Sequence, residues 1–223
     1  MTLAAEFRDA LAVMDLDLPD VRQTRLLAFV ALLQKWNRTY NLTAIRDEKE
    51  MLTHHLLDSL SLLPALGESA LAGPRSGIPG RQSQGRRWAD VGSGAGLPGI
   101  PLAIACPEVS MTSIETVEKK AAFQRQAKIE LGLDNFAVEN RRVEDMPAGG
   151  FDIVVSRAFA ELCDFVRLAG HLLAPSGRLY AMKGVMPDAE IKRLPDSWTL
   201  REVLPLRVPG LDAQRHLLVI EKA

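Results

Sequence analysis

A chain of 223 residues, 47% hydrophobic and 25% charged, has an ordinary globular composition and fits one large domain, or one core with a small appendage. No apolar stretch reaches the length of a membrane span, and a net charge of −1 provides no global basic field, so any nucleic-acid binding must come from a local patch. Cys106 and Cys163 fit no C-x-x-C motif and Met1 to Asp9 has no signal-peptide pattern, so a reducing cytoplasm is the expected location.

Residues 1–66 read as a helical extension. Leu3, Phe7, Ala10, Leu11 and Met14 recur at helical spacing, and Val21 to Trp36 repeats the pattern behind Pro19 and Asp20. A third helix is expected from Asp47, which has capping-box spacing to Glu50, and its end is expected at Pro64. Between these helices Lys35 to Thr43 is polar with embedded aromatics and reads as an interhelical loop whose Asn side chains bond the local backbone. Residues 67–87 alternate Gly with Pro, Ser, Gln and Arg, lack any apolar period, and read as a flexible linker.

From Trp88 the pattern changes. Trp88-Ala89-Asp90-Val91 is an apolar strand that runs into Gly92-Ser93-Gly94-Ala95-Gly96, and a second apolar run begins at Ile100. Strand, tight turn and helix follow, with Pro98 and Pro101 where a first helical turn accepts them. Glycines at such a turn tolerate positive φ and expose bare backbone to a ligand, although a purely structural turn remains an alternative. The next strand, Ser110 to Ile114, is closed by Glu115. Its distance from Gly92 is close to the roughly 20 residues expected of a ribose-binding carboxylate in a nucleotide-binding βαβ unit. The spacing G-x-G-x-G after Asp90 resembles the first motif of S-adenosylmethionine (SAM)-dependent methyltransferases more than the dinucleotide fingerprint.

Strands and helices then alternate, so residues 88–223 are expected to form an α/β, Rossmann-like domain with a mostly parallel sheet and helices on both faces. The expected elements are a helix over Val117 to Leu131, strands at Asn135 to Glu139 and Phe151 to Ser156, and a helix over Leu162 to Ala174. After Pro175-Ser176-Gly177 a strand is expected at Arg178 to Met182, then an antiparallel pair at Trp198 to Leu204 and His216 to Ile220.

Several blocks occur together: Lys35-Trp36-Asn37 with Tyr40-Asn41-Leu42-Thr43, His55 with Leu57-Asp58-Ser59, and Asp90 to Pro101. The pair Arg142 and Glu144, Ser156-Arg157-Ala158, Ala181-Met182-Lys183-Gly184 and Arg215-His216-Leu217 complete the set. Over nearly its whole length the chain resembles the RsmG family, also called glucose-inhibited division protein B. That resemblance implies a bacterial enzyme that makes 7-methylguanosine in small-subunit ribosomal RNA with SAM as cofactor. It also implies cofactor contacts at Gly92, Gly94, Gly96, Leu97, Glu115, Val143, Glu144 and Arg157. The long linker and Glu115, where Asp is commoner, depart from the family. The expected partner is small-subunit ribosomal RNA or the assembled small subunit, with no membrane and a monomeric chain.

Guanine N7 has a lone pair and no proton to lose, so no catalytic base is expected and Arg157 is read as a positioning residue. Lys119, Lys120, Arg142 and Lys183, with His55 as a further option, are the candidates for RNA contact. Tyr40 or Phe159 is a candidate for stacking on a splayed base. His54, His55 and Asp58 share a helix, and a His–Asp hydrogen bond is favoured over a metal site, so no metal is expected. A SAM-dependent enzyme acting on a small molecule and a non-catalytic SAM-binding module are the rival readings.

Overall fold

The computed structural model describes residues 2–71, 86–157, 159 and 161–223. Seven strands form one sheet: β1 (Arg87–Val91), β2 (Ser110–Ile114), β3 (Phe136–Glu139), β4 (Phe151–Ser156), β5 (Leu173–Lys183), β6 (Trp198–Pro205) and β7 (His216–Lys222). Their spatial order is β3-β2-β1-β4-β5-β7-β6. β1 to β5 pair in parallel, β7 runs antiparallel to β5, and β6 antiparallel to β7. From β1 the chain winds one way through β2 and β3 and the other way through β4 and β5. Open α/β sheets bind ligands in the crevice beyond the strand ends at such a reversal.

β1 and β4 are buried on both faces, and successive side chains along the strands feed two cores. Trp88, Met111, Phe136, Ile153 and Val155 point into one. That core is closed by α1 (Leu3–Val13), α2 (Asp20–Tyr40), α3 (Glu48–Met51), the helical segments that follow it up to Leu63, α6 (Gly99–Ala105) and α7 (Glu118–Leu131). Ala89, Val91, Val154 and Leu179 point into the other, under α8 (Leu162–Ala169). The N-terminal helices therefore share a core with the sheet: Phe29 meets Phe123 of α7 at 6.3 Å between ring centroids.

α2 runs through to Tyr40, so Lys35 to Tyr40 is helix where the sequence suggested loop. Within this stretch Asn37 is buried; it donates to the Ile45 carbonyl (2.8 Å) and accepts from Thr43 N (2.9 Å), which reverses the chain. Asp47 caps α3 as expected, accepting from the backbone of Lys49 and Glu50. A π-helical turn (Leu52–Leu57), α4 (Asp58–Leu60) and α5 (Leu62–Leu71) follow. Pro64 does not end the helix, because it lies in the first turn of α5, where its missing N–H has no partner to lose. The break comes at Gly67, with φ 65°. Of the expected linker 67–87, α5 takes the first part and Arg87 opens β1; residues 72–85, with Arg75 and Arg81, lie outside the described residues.

The helix expected to reach Ala174 stops at Ala169, a 3-10 turn covers Gly170–Leu172, and β5 starts at Leu173. Its register with β4 jumps from Phe151–Leu173 to Ile153–Arg178, so Pro175-Ser176-Gly177 sits in a bulge rather than at a helix end. The short helix α9 (Asp188–Ile191) and the hairpin β6–β7 complete the chain.

Candidate active site

The site lies at the carboxyl ends of β1, β2 and β4. Gly92, Gly94 and Gly96 all have positive φ (68°, 58° and 78°), which glycine adopts at little cost. At Gly96 a Cβ would lie 2.4 Å from Ile100 Cδ1, so that glycine is needed for packing. At Gly94 an added Cβ would meet nothing within 4 Å, so it would project into open space beside the loop.

Glu115, only 5% exposed, braces this loop. Its Oε2 accepts from Gly94 N (2.7 Å) and its Oε1 from Val117 N (2.8 Å). A carboxylate has about four acceptor positions, so each oxygen keeps capacity for a hydroxyl donor. Gln124, fully buried on α7, ties the loop from behind. It donates to the Gly94 carbonyl and to Ser93 Oγ (2.8 Å each) and accepts from Ser113 Oγ. Asn140, just past β3, donates to the Glu115 carbonyl at 2.8 Å. Sequence reasoning missed Gln124, Ser93, Ser113 and Asn140, since a polar residue on an amphipathic helix or strand end gives no sign that it is turned inward.

A cavity of about 450 Å³ opens beside the loop, lined by Gly92, Ile114, Arg141, Arg142, Val143 and Glu144 among others. It brings Gly92, Arg142, Val143 and Glu144 of the expected set together; Gly94, Gly96, Leu97, Glu115 and Arg157 are not part of its lining. The Glu144 carboxyl is held below its usual range, first by its own backbone N–H and then by Arg142, whose Nη2 lies 3.4 Å away.

Asp90 is fully buried at the end of β1. Its Oδ2 accepts from Gly99 N at 2.8 Å, and its Oδ1 has no hydrogen-bond partner. Burial pushes its carboxyl up to about 7, against the pull of Gly99 N–H and Arg157 and with a further push from Glu115.

Arg157 follows β4 directly, and the structure turns it toward the N-terminal helices. Its Nη1 donates to Asp58 Oδ2 (2.7 Å) and to the His54 carbonyl (3.3 Å). Arg215 Nε donates to the other oxygen of Asp58 at 3.0 Å. Asp58 thus serves two arginines and not a histidine, which corrects the expected His–Asp bond. His55 is buried; its Nε2 pairs with Thr43 Oγ1 at 2.8 Å, and burial and the Arg157 charge push it down to about 4. A neutral, enclosed imidazole holds the helix from inside and offers no exposed face to RNA. Lys183 is corrected on the same ground. Its Nζ binds Glu190 Oε2 (2.9 Å) and the Phe159 carbonyl (3.1 Å), with 12% of the side chain exposed. Lys119 is exposed and Lys120 half-buried at the start of α7, and neither has an ion-pair partner among the described residues. Among the described residues no group of three or more His, Cys, Asp or Glu gathers at metal-binding distance, and no helix is long and apolar enough to cross a membrane.

Residues 22–218 match the family described as rRNA small subunit methyltransferase G. Ribosomal RNA small subunit methyltransferase G of Azoarcus sp. (strain BH72) is 56% identical, across 98% of this chain and 96% of the relative. The protein of the same name from Aromatoleum aromaticum is 55% identical, across 98% and 99%. Among solved structures, TrmN from Thermus thermophilus superposes with a TM-score of 0.55 at 22% identity, over 77% of this chain and 53% of that one. A SAM-dependent methyltransferase from Aquifex aeolicus also gives 0.55, at 16% identity, over 77% and 92%. At these identities the structures speak for the fold, which is the Rossmann-like fold of SAM-dependent methyltransferases.

Proposed function

The chain belongs to the rRNA small subunit methyltransferase G family, and from that premise we propose that it moves a methyl group from SAM to N7 of a guanosine in small-subunit ribosomal RNA. It acts in the cytoplasm as a monomer, with residues 1–66 as a helical extension to the methyltransferase domain 88–223. The observation that carries this reading is the left-handed glycine turn held by Glu115 at the sheet's reversal point, beside a cavity rimmed by Arg141 and Arg142.

The residues present fit the cofactor. The turn leaves open space at Gly94, Glu115 retains acceptor capacity for ribose hydroxyls, and Val143 and Glu144 border the cavity where a purine would lie. Gly92, Gly96 and Leu97 complete the loop. When bound, SAM supplies an electrophilic methyl group on a sulfonium. Everything else falls to the chain: it orients the guanine, excludes water and balances charge. Because N7 carries no proton, no side chain is assigned as a base. Arg157, fixed by Asp58 and the His54 carbonyl, serves to position. Lys119, Lys120 and Arg142 receive RNA phosphates.

The sequence argues against other base chemistries. The Asn/Asp-Pro-Pro-aromatic motif common in amino-group methylation is replaced by Ser156-Arg157-Ala158-Phe159. Carbon methylation of cytosine needs a thiolate, but burial pushes the Cys106 thiol up to about 12, and Cys163 Sγ is 2.9 Å from the Arg193 carbonyl.

Nucleoside mass spectrometry of small-subunit ribosomal RNA from cells with and without the chain tests the reaction. Loss of one 7-methylguanosine is expected, and an unchanged nucleoside profile refutes it. Gly94→Val, which fills the open space at the turn, is expected to abolish SAM binding by calorimetry.

A further inference from the structure

α2 and α7 meet at the rim of this site. Arg22, at the start of α2, donates Nη1 to the Ala105 carbonyl (2.8 Å) at the far end of α6, the helix that leads away from the glycine loop. α2 therefore climbs from the far edge of the sheet back to the site edge and ends there, at Tyr40. α7 starts at that same edge, directly after Glu115. Close to that edge the two helices are locked by Trp36 on Phe123, with ring centroids 5.6 Å apart. One turn further along α2 stands Tyr40; one turn earlier on α7 stand Lys119 and Lys120.

Tyr40 is 43% exposed and its ring lies 5.0 Å from Trp36, at 31° between planes. One side of the ring is thus backed by a second aromatic that is itself anchored in the core. Its backbone is held by Asn41, in the left-handed region (φ 48°), whose N–H returns to the Asn37 carbonyl. Lys119 and Lys120 have no ion-pair partner among the described residues, while their acidic neighbour Glu118 is turned to Arg125 at 2.5 Å. A rigid exposed aromatic at the same edge as two ammonium groups without ion-pair partners among the described residues is what single-stranded nucleic acid needs: a face for a base and cations for the adjoining phosphates.

We infer that Tyr40, with Lys119 and Lys120, forms a stacking platform for an unpaired nucleotide of the RNA strand that flanks the target guanosine. This rests on the reading of the site as an RNA methyltransferase and names the part of the substrate that the helical extension recognises. The extension thereby contributes directly to RNA binding.

The experiment measures binding of a short fluorescein-labelled single-stranded RNA by anisotropy, for the wild-type chain, Tyr40→Phe, Tyr40→Ala and Lys119→Ala/Lys120→Ala. Tyr40→Phe keeps the ring and is expected to bind within about twofold of wild type. Tyr40→Ala is expected to weaken binding about tenfold, the loss of one base–aromatic stack, with an unchanged salt slope. The double lysine variant is expected to lower the salt slope by about 1.4. SAM affinity and melting temperature are expected to hold in all three. Equal binding by Tyr40→Ala and wild type overturns the inference. So does a loss in Tyr40→Phe as large as in Tyr40→Ala, which would make the hydroxyl the contact. A defect seen with assembled small subunits but not with naked RNA assigns the ring to a protein partner and also overturns it. If wild type places no methyl group on small-subunit RNA, the reaction reading fails; if it does and Tyr40→Ala is silent, only the platform fails.

Discussion

Replacing Asp90 with Asn should remove from the stability a pH dependence set by one buried proton. The carboxyl is raised from 3.8 to about 7, chiefly by burial. Between those values the folded chain keeps a proton that the unfolded chain has released. The stability this group contributes is therefore complete below about pH 4 and is lost as pH rises toward about 7. Roughly three pH units at about 1.4 kcal/mol each amount to about 4 kcal/mol. Asn imitates the protonated acid: its amide oxygen accepts from Gly99 N, and its NH₂ takes the place of the unpartnered Oδ1. Asp90→Asn should thus gain on wild type as pH rises, by up to about 4 kcal/mol at about pH 8. His55 has the opposite sign. Pushed down from 6.5 to about 4, it contributes stability above its ordinary value that is lost as pH falls through that window. The two slopes oppose each other in wild type, and the Asn variant should uncover the histidine's. Urea midpoints between about pH 5 and about pH 8 read the difference. A free-energy gap between variant and wild type that does not change with pH would refute the assignment of a buried, proton-holding Asp90.

Asp58→Ala leaves Arg157 and Arg215 without their shared anion and should cost about 3 kcal/mol, and combining it with Arg157→Ala should give a coupling of about 1–3 kcal/mol; additive losses in denaturant unfolding would show that the pair is not coupled. Gln124→Leu removes the group that holds the Gly94 carbonyl and the Ser93 and Ser113 hydroxyls. It should cost about 1–3 kcal/mol and weaken SAM binding, and unchanged calorimetry would mean that the network does not hold the loop. Single-turnover methyl transfer at saturating RNA and SAM should stay flat through mildly acidic pH, whereas an acid limb that vanishes on mutating His54, His55, Asp58 or Glu144 would reveal a base.

The glycine turn, Glu115 and the strand sequence were legible because each depends on local physics: left-handed φ, the two-residue period of buried strands, and the length of a βαβ unit. The parts that misled depend on distant partners. Lys35 to Tyr40 looks like loop because its outward residues are polar, yet packing of Trp36 on Phe123 carries the helix through. Pro175-Ser176-Gly177 looks like a helix stop because a bulge in a central strand has no composition of its own; the approach of Gly177 to the Phe151 carbonyl, 2.6 Å from where a Cβ would be, is visible only in space. Arg157 and Lys183 were recognisable as charges at strand ends. Their counterions Asp58 and Glu190 sit on other elements, so how far each is committed to holding the protein together is visible only in the folded chain.

The carboxylate of Asp58 also imposes an order on synthesis. Arg215 lies 157 residues after it. At about 5–20 residues per second, the ribosome delivers that arginine about 8–30 s after the aspartate. During that interval the elements that cover the apolar faces of the first helices, including Phe29, Leu33 and Leu56, arrive one after another, from Trp88 of β1 to Leu217 and Val219 of β7. The nascent chain therefore cannot complete its N-terminal part first and add the remainder to it. It must wait with that core only partly covered until nearly its last strand has been made, and that interval is when it is most exposed to aggregation and most in need of a chaperone.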